Sequence, residues 1–216
     1  IRYGFDQSLL KEYGSKVDFL NDYRKAVGDY EKVRRKIDSG KLGLQTLEID
    51  LRQEMYRFTA SKPIRQGDVI TVEPFVPHSL QHGVRVLEFQ TPHYERYILS
   101  FGQKVVTQEH WDTDAALEVV KLDEGSFSLN AGDNIIADFD QFTIERIRIE
   151  AGGTQELITD TYQILTGIEG SLNHGRDALL TPESAWFIPP REHGFEIQNL
   201  TDQPGVFLRG TEPLSP

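Results

Sequence analysis

The stretch from Gly67 to Arg96, GDVITVEPFVPHSLQHGVRVLEFQTPHYER, decides how the rest of the chain is read. Gly67-Asp68 opens it as a turn, and Val69, Ile70 and Val72 are strand formers. Pro74 and Pro77 fix φ on either side of Phe75-Val76, so His78 is delivered by a rigid backbone. Val84, Val86, Leu87 and Phe89 predict a second strand that carries Glu88 and Gln90. Alternation puts Val86, Glu88 and Gln90 on one face and Leu87 and Phe89 on the other. A neutral imidazole and a carboxylate on adjacent strands suit a metal site or proton transfer. They equally suit a β-turn with an incidental histidine, and these residues alone leave both readings open.

The remainder of the chain sets bounds on that stretch. With 216 residues, 38% of them hydrophobic, it can bury a core sized for one large domain or two small ones. A net charge of −11 argues against nucleic acid or an anionic membrane as the main partner. The absence of cysteine excludes disulfides and thiolate metal sites, and fits a cytoplasmic location. No apolar run approaches the ~20 residues of a membrane helix, and no signal-peptide pattern appears. The chain opens at Ile1 in mid-pattern, which reads as a processed or incomplete N-terminus.

Residues 1–60 read as helical. Asp6 is placed to cap a short helix through Tyr13, with Gly14 as its stop. Ser15-Lys16-Val17-Asp18 resembles a capping box, and Leu20, Tyr23, Val27, Tyr30, Val33 and Ile37 then recur at helical spacing. Ser39-Gly40 ends that helix. A further helix is expected from Leu44 to Phe58, with Leu47, Leu51, Met55 and Phe58 inward. These stripes read as core packing rather than as a cofactor box.

From Ser61 the texture changes to short β runs punctuated by Gly, Pro, Asn and Asp. Strands are expected at Tyr97-Ile98-Leu99 and Lys104-Val105-Val106, followed by a link at His110–Asp114. Beyond the link they are expected at 135–137, 142–149, 162–168, 185–188, 195–198 and 206–209. Phe142–Ile149 reads as an alternating strand with one wet face. Many short strands with tight turns indicate a sandwich or jelly roll. There is also a faint internal repeat: the interval from Gly67 to His78 recurs from Pro182 to His193, and each arm runs on into a strand.

On these residues the chain resembles the type I phosphomannose isomerases of the cupin superfamily. Gly67-Asp68, His78-Ser79-Leu80, Glu88-Phe89-Gln90 and Arg96 match their metal-proximal segment. Pro74-Phe75-Val76-Pro77 departs from the family's P-x-G turn, and the interval from Gln90 to Arg96 is short. The resemblance implies a mainly β fold of two tandem cupin (jelly-roll) barrels behind an N-terminal helical segment. Residues 1–60 would be that segment, 61–112 the rest of the first barrel, and 113–216 a second barrel without a metal site.

The resemblance also implies a chemistry: a metal-dependent aldose–ketose isomerase working on a sugar phosphate through an enediolate. His78 would be a zinc ligand, with the other ligands upstream of Ile1. Glu88 would transfer the proton, and Arg96 would neutralise the phosphate or developing oxyanion. Glu88 as a solvent-facing strand residue and Arg96 as a surface ion pair weigh about equally. All three are expected on the inside or mouth of the first barrel. His82 and His93 lie on polar turns and read as solvated. In the second half Thr161–Gly170 holds no histidine, so His193 lacks a partner set, and His174 sits in a polar turn. A non-catalytic sugar-binding bicupin is the alternative, and a cupin dioxygenase would need a histidine set this chain does not present.

Overall fold

Ile1, Tyr3 and Phe5 are all buried. That alternation makes Arg2–Phe5 the first strand, β1, ahead of the helices expected there. The computed structural model describes residues 1–91, 96–101, 110–123, 134–158, 160–175, 178–190 and 194–213. They form two units, Ile1–Ser128 and Leu129–Pro216.

In the first unit Asp6 caps α1 (Gln7–Glu12), its carboxylate accepting from the Leu9 N–H at 2.9 Å. Ser15 caps α2 (Lys16–Asp38) in the same way through the Asp18 N–H at 3.1 Å, a contact worth about 1 kcal/mol. α2 buries Phe19, Tyr23, Ala26, Val27, Tyr30 and Val33. Its stripe is therefore centred one position from the Leu20–Ile37 line, and those two residues lie at its margins. Phe5 meets Phe19, Tyr23 and Phe101 edge-on at ring separations of 5.2–5.5 Å. Each such pair adds roughly 0.5–1.5 kcal/mol beyond its burial.

α3 (Gln45–Arg57) turns Met55 inward and runs into buried Phe58. Leu47, expected inward, stands 46% exposed, and Glu48 is buried in its place. The carboxylate tolerates burial because it accepts the Tyr30 hydroxyl at 3.1 Å and has the Arg52 guanidinium 3.6 Å away. The chain then returns through β2 (Thr59–Ser61) and β3 (His78–Ser79), which flank β1 in a three-stranded antiparallel sheet. α4 (Thr113–Val119) follows. Its Leu117, with Leu122 just beyond, joins the aromatic core, so the division between units falls after this helix rather than at residue 112.

The second unit is two antiparallel sheets. In chain order its strands are β4 (Ile135–Asp138), β5 (Thr143–Ile149), β6 (Thr154–Leu157), β7 (Gln163–Glu169), β8 (Leu172–His174), β9 (Ala178–Leu180), β10 (Ala185–Ile188), β11 (Phe195–Gln198) and β12 (Gly205–Thr211). One sheet has the order β10-β7-β12-β5-β4 and the other β6-β11-β8-β9. Ile149, Leu165, Ile188 and Phe207 from the first meet Leu157, Leu172, Leu180, Phe195 and Ile197 from the second in one core. Two sheets sharing an apolar interior make a sandwich; among the described residues no closed barrel forms. The six strands expected from the sequence here are present, and β6, β8 and β9 are additions.

The internal repeat appears as a turn found in both units. At Arg65–Asp68 the Asp68 N–H bonds the Arg65 carbonyl at 3.1 Å, and the Asp68 carboxylate accepts the Arg65 N–H at 2.6 Å. At Thr181–Ser184 the Ser184 N–H bonds the Thr181 carbonyl at 3.0 Å, and the Ser184 hydroxyl accepts the Thr181 N–H at 2.8 Å. The third residue has φ of +90° at Gly67 and +72° at Glu183. The match pairs Gly67 with Glu183, one position later than Pro182. His193 lies outside the described residues.

Candidate functional site

The backbone that carries His78 begins in a second turn. At Glu73–Val76 the Val76 N–H donates to the Glu73 carbonyl at 3.2 Å, with Pro74 in the second position. Phe75 occupies the third with φ of +66°, the place in a type II turn that favours glycine. A phenylalanine held there costs about 1–3 kcal/mol and persists only where its surroundings over-determine it. Both ends of the turn are held. Val76 is buried, the Lys121 N–H donates to the Phe75 carbonyl at 2.9 Å, and Lys121 Nζ reaches the Glu73 carboxylate at 3.1 Å. One residue on, the Pro77 carbonyl accepts the Gly4 N–H of β1 at 2.9 Å.

β3 then pairs with β1, placing His78 opposite Tyr3 and Ser79 opposite Arg2. Ser79 is buried and His78 is exposed. The imidazole Nδ1 lies 3.0 Å from the Val76 carbonyl. A carbonyl can only accept, so Nδ1 carries the proton, and Nε2 is the lone-pair nitrogen of the neutral ring. Metal-binding histidines are commonly oriented in this way. The Tyr3 hydroxyl donates to the Thr71 carbonyl at 3.0 Å, and burial, then the Glu73 carboxylate, pushes its pKa up. It stays a neutral phenol beside the histidine strand.

The other expected site residues are placed differently. Glu88 and Arg96 are both exposed, in segments outside any ladder. Val69–Val72, 84–90 and 97–99 form no strand, and Val86 and Leu87 are exposed side by side, so the expected partition into two faces is not realised. The strand expected at 104–106 and His93 lie outside the described residues. Among the described residues no group of three or more His, Cys, Asp or Glu side chains is placed to hold a metal ion. His78 fits such an ion with one nitrogen, and the described residues do not complete a set around it.

In the second unit polar chemistry turns inward. On β5, Thr143, Glu145 and Ile147 share the face of buried Ile149, so the inner face of this strand is part polar rather than opposed to a wet one. Cross-strand register sets Trp186, Leu165, Arg209 and Glu145 in one row across β10, β7, β12 and β5. Arg209 and Glu145 form an ion pair there, with side chains 19% and 18% exposed. His174 ends β8 instead of lying in a polar turn. Its ring stacks on Phe195 at 3.8 Å, and Nδ1 is 2.7 Å from the Glu196 carbonyl. Gln163 is buried and donates to the Ile158 carbonyl. Glu145 could have been found by counting inward from Ile149 in steps of two.

The sequence matches no protein-family model and no curated protein. Solved structures similar to the chain include cupin and double-stranded β-helix proteins. A protein of Thermus thermophilus is 20% identical, over 38% of this chain and 82% of that one, with a TM-score of 0.33. A cupin domain from Bordetella pertussis Tohama I is 16% identical, over 38% and 90%, with a TM-score of 0.32. A sugar phosphate isomerase from a cupin superfamily of Silicibacter pomeroyi is 23% identical, over 35% and 52%, with a TM-score of 0.30. Among the described residues no helix is long and apolar enough to cross a membrane.

Proposed function

We propose that this chain belongs to a metal-dependent aldose–ketose isomerase of the mannose-6-phosphate isomerase type. The observation that carries the reading is the His78 imidazole: its Nδ1–H is committed to the Val76 carbonyl, which reserves Nε2 for a ligand. In this reading a divalent ion such as zinc polarises the sugar's oxygens when bound, with His78 as one ligand and the others outside the described residues. Glu88 takes the proton from one carbon of the open-chain sugar and returns it to the neighbouring carbon. Arg96 binds the phosphate through its forked donors.

A second reading, a non-catalytic module that binds a sugar or sugar phosphate, has its own observation in favour. Glu88 stands exposed, and a general base works best where water is excluded. Consumption of mannose 6-phosphate by the zinc-supplemented protein separates the two. The isomerase reading expects turnover that drops ~100-fold or more in Glu88→Gln with zinc content unchanged. Binding without turnover in the unaltered protein supports the module, and undiminished turnover in Glu88→Gln removes Glu88 from the chemistry.

A further inference from the structure

The second unit opens along one side. β4 pairs with β5 only as far as Glu145, and just before β4 the Asn134 carbonyl accepts the Arg146 N–H at 2.6 Å. Past that bond no described strand covers this edge of β5, and β6 is an edge strand of the other sheet. Here lies a cavity of about 280 Å³, lined by Asn134, Glu145, Arg146, Ile147, Arg148 and Gln155. Consecutive side chains of a strand point to opposite faces, so four in a row line one cavity only where it runs along the strand's edge. In an antiparallel ladder N–H groups two residues apart share a side. The Arg148 N–H is therefore turned to this open side, as the Arg146 N–H is turned to Asn134.

The polar groups on this wall keep part of their bonding capacity unused. Glu145 Oε2 meets both Nε and Nη2 of Arg209, and among the described residues Oε1 accepts from no donor. The arginine thus fixes the carboxylate and leaves its second oxygen for a hydroxyl. Arg148 donates to Glu150 through Nε at 2.7 Å, which leaves its two Nη nitrogens without a hydrogen-bond acceptor among the described residues. Both partners of that pair stand in water, so a better anion exchanges for Glu150 at little cost. Gln155 commits its NH2 to the Glu156 carbonyl at 2.9 Å, and its Oε1 remains to accept. Carboxylate and amide oxygens accept hydroxyl protons, while a guanidinium fork matches phosphate or carboxylate oxygens. Three strand steps, about 10 Å, separate Glu145 from Arg148. That span suits a small molecule with hydroxyls at one end and an anionic group at the other. In a chain of net charge −11, two arginines beside a carboxylate already met by Arg209 are a local exception that favours an anion.

We propose that this edge cavity is a ligand site for a small hydroxylated anion, of the sugar-phosphate or sugar-acid class. Glu145 and Gln155 take its hydroxyls, and Arg148 takes its anionic group. The inference goes beyond the isomerase reading and takes nothing from it, since the site lies in the other unit and uses no metal.

The test is titration of the full chain in EDTA, followed by 15N–1H NMR, with mannose 6-phosphate, gluconate, mannose and inorganic phosphate as probes. Saturable shifts are expected at the amides of Asn134, residues 145–148 and Gln155 with an anionic sugar. The tighter of mannose 6-phosphate and gluconate shows whether the site prefers phosphate or carboxylate. Mannose and inorganic phosphate should each bind about tenfold more weakly or worse, because each meets only half of the site. Arg148→Met removes the fork from an exposed position that the fold does not need. It should weaken the preferred anion about tenfold or more and leave mannose unchanged. Glu145→Leu together with Arg209→Met removes the acceptor without stranding a charge, and should weaken both. No saturable shift on β5 and β6 with either anionic sugar overturns the proposal, as does undiminished affinity in Arg148→Met. Inorganic phosphate binding as tightly as the preferred sugar anion, the mark of an adventitious ion only, overturns it too. Shifts confined to the first unit belong to the isomerase reading and overturn this one. Absence of isomerase turnover counts against that reading alone, because the titration needs neither zinc nor turnover.

Discussion

The two units differ in which polar groups they take inside: the first buries Glu48, held by Tyr30 and Arg52, but not the residues its motif singles out. The first builds its core from aromatic rings and leaves His78, Glu88 and Arg96 exposed. The second builds its core mainly from aliphatic side chains of two sheets, with Phe195 and Phe207 among them, and takes a full ion pair, Arg209–Glu145, onto its inner face. Both use the same tight turn, with glycine at its left-handed position in one unit and glutamate in the other. A residue pattern that suggests chemistry can thus lie on the surface, while charges from strands read as purely structural go inside.

The largest effect should come from the aromatic core. Phe5→Ala deletes a ring that touches three others, and is expected to cost about 3–5 kcal/mol. Hydrogen exchange should show protection lost in the first unit and kept in β5, β7 and β12. Equal loss in both units would mean that the division at residue 128 is not an energetic one.

The first unit should also be the alkali-sensitive one. Burial pushes the pKa values of Tyr23 and Tyr30 well above the ordinary 10.0, and the Glu48 carboxylate adds to the shift at Tyr30. A group with a raised folded pKa contributes stability that is complete below its unfolded pKa and is lost as pH rises toward the folded value. Urea midpoints for the first unit should therefore fall between about pH 9 and about pH 11. Tyr23→Phe should flatten part of that slope, although it also removes the 2.7 Å bond to the Ser100 carbonyl and lowers stability at every pH.

Next in size is the inward ion pair. Arg209→Ala leaves the Glu145 carboxylate facing the sandwich interior and should cost about 1–3 kcal/mol, less than a fully buried pair because water still reaches it. Replacing both partners by Leu and Met should recover most of that loss. If the single substitution is neutral, Glu145 finds water without cost and the contrast between the units weakens.

The smallest effects test the shared turn. Glu183→Gly places the residue that tolerates left-handed φ where the chain has glutamate, and should gain up to about 1 kcal/mol. Gly67→Ala should lose a similar amount at the matching position. Opposite signs support the repeat; equal signs break it.

Helices and second-unit strands were legible in the sequence because local signals and tertiary packing agree there. Asp6 and Ser15 cap the helices their sequence marks, and 185–188 and 195–198 are strands as read. The reading failed where a long-range partner decides. β1 depends on pairing with residues more than fifty positions away. The strand formers at 69–72 and 84–89 find no ladder among the described residues, so propensity alone did not make them strands. Glu48 replaced Leu47 inside because the Tyr30 hydroxyl of α2 reaches it, a partner no local pattern shows, although Arg52 one turn along α3 is at a local spacing. At the candidate site the motif located His78, but not the turn strain or the Lys121 contacts. Both depend on φ values and on a contact across 46 residues of chain.

The central claim is that His78 offers Nε2 to a divalent metal, and zinc content after exhaustive dialysis tests it most directly. The account predicts that the zinc-loaded protein keeps stoichiometric zinc and that His78→Ala loses it, with both variants folded by circular dichroism. Equal zinc in the two proteins, or none in the unaltered one, would contradict it.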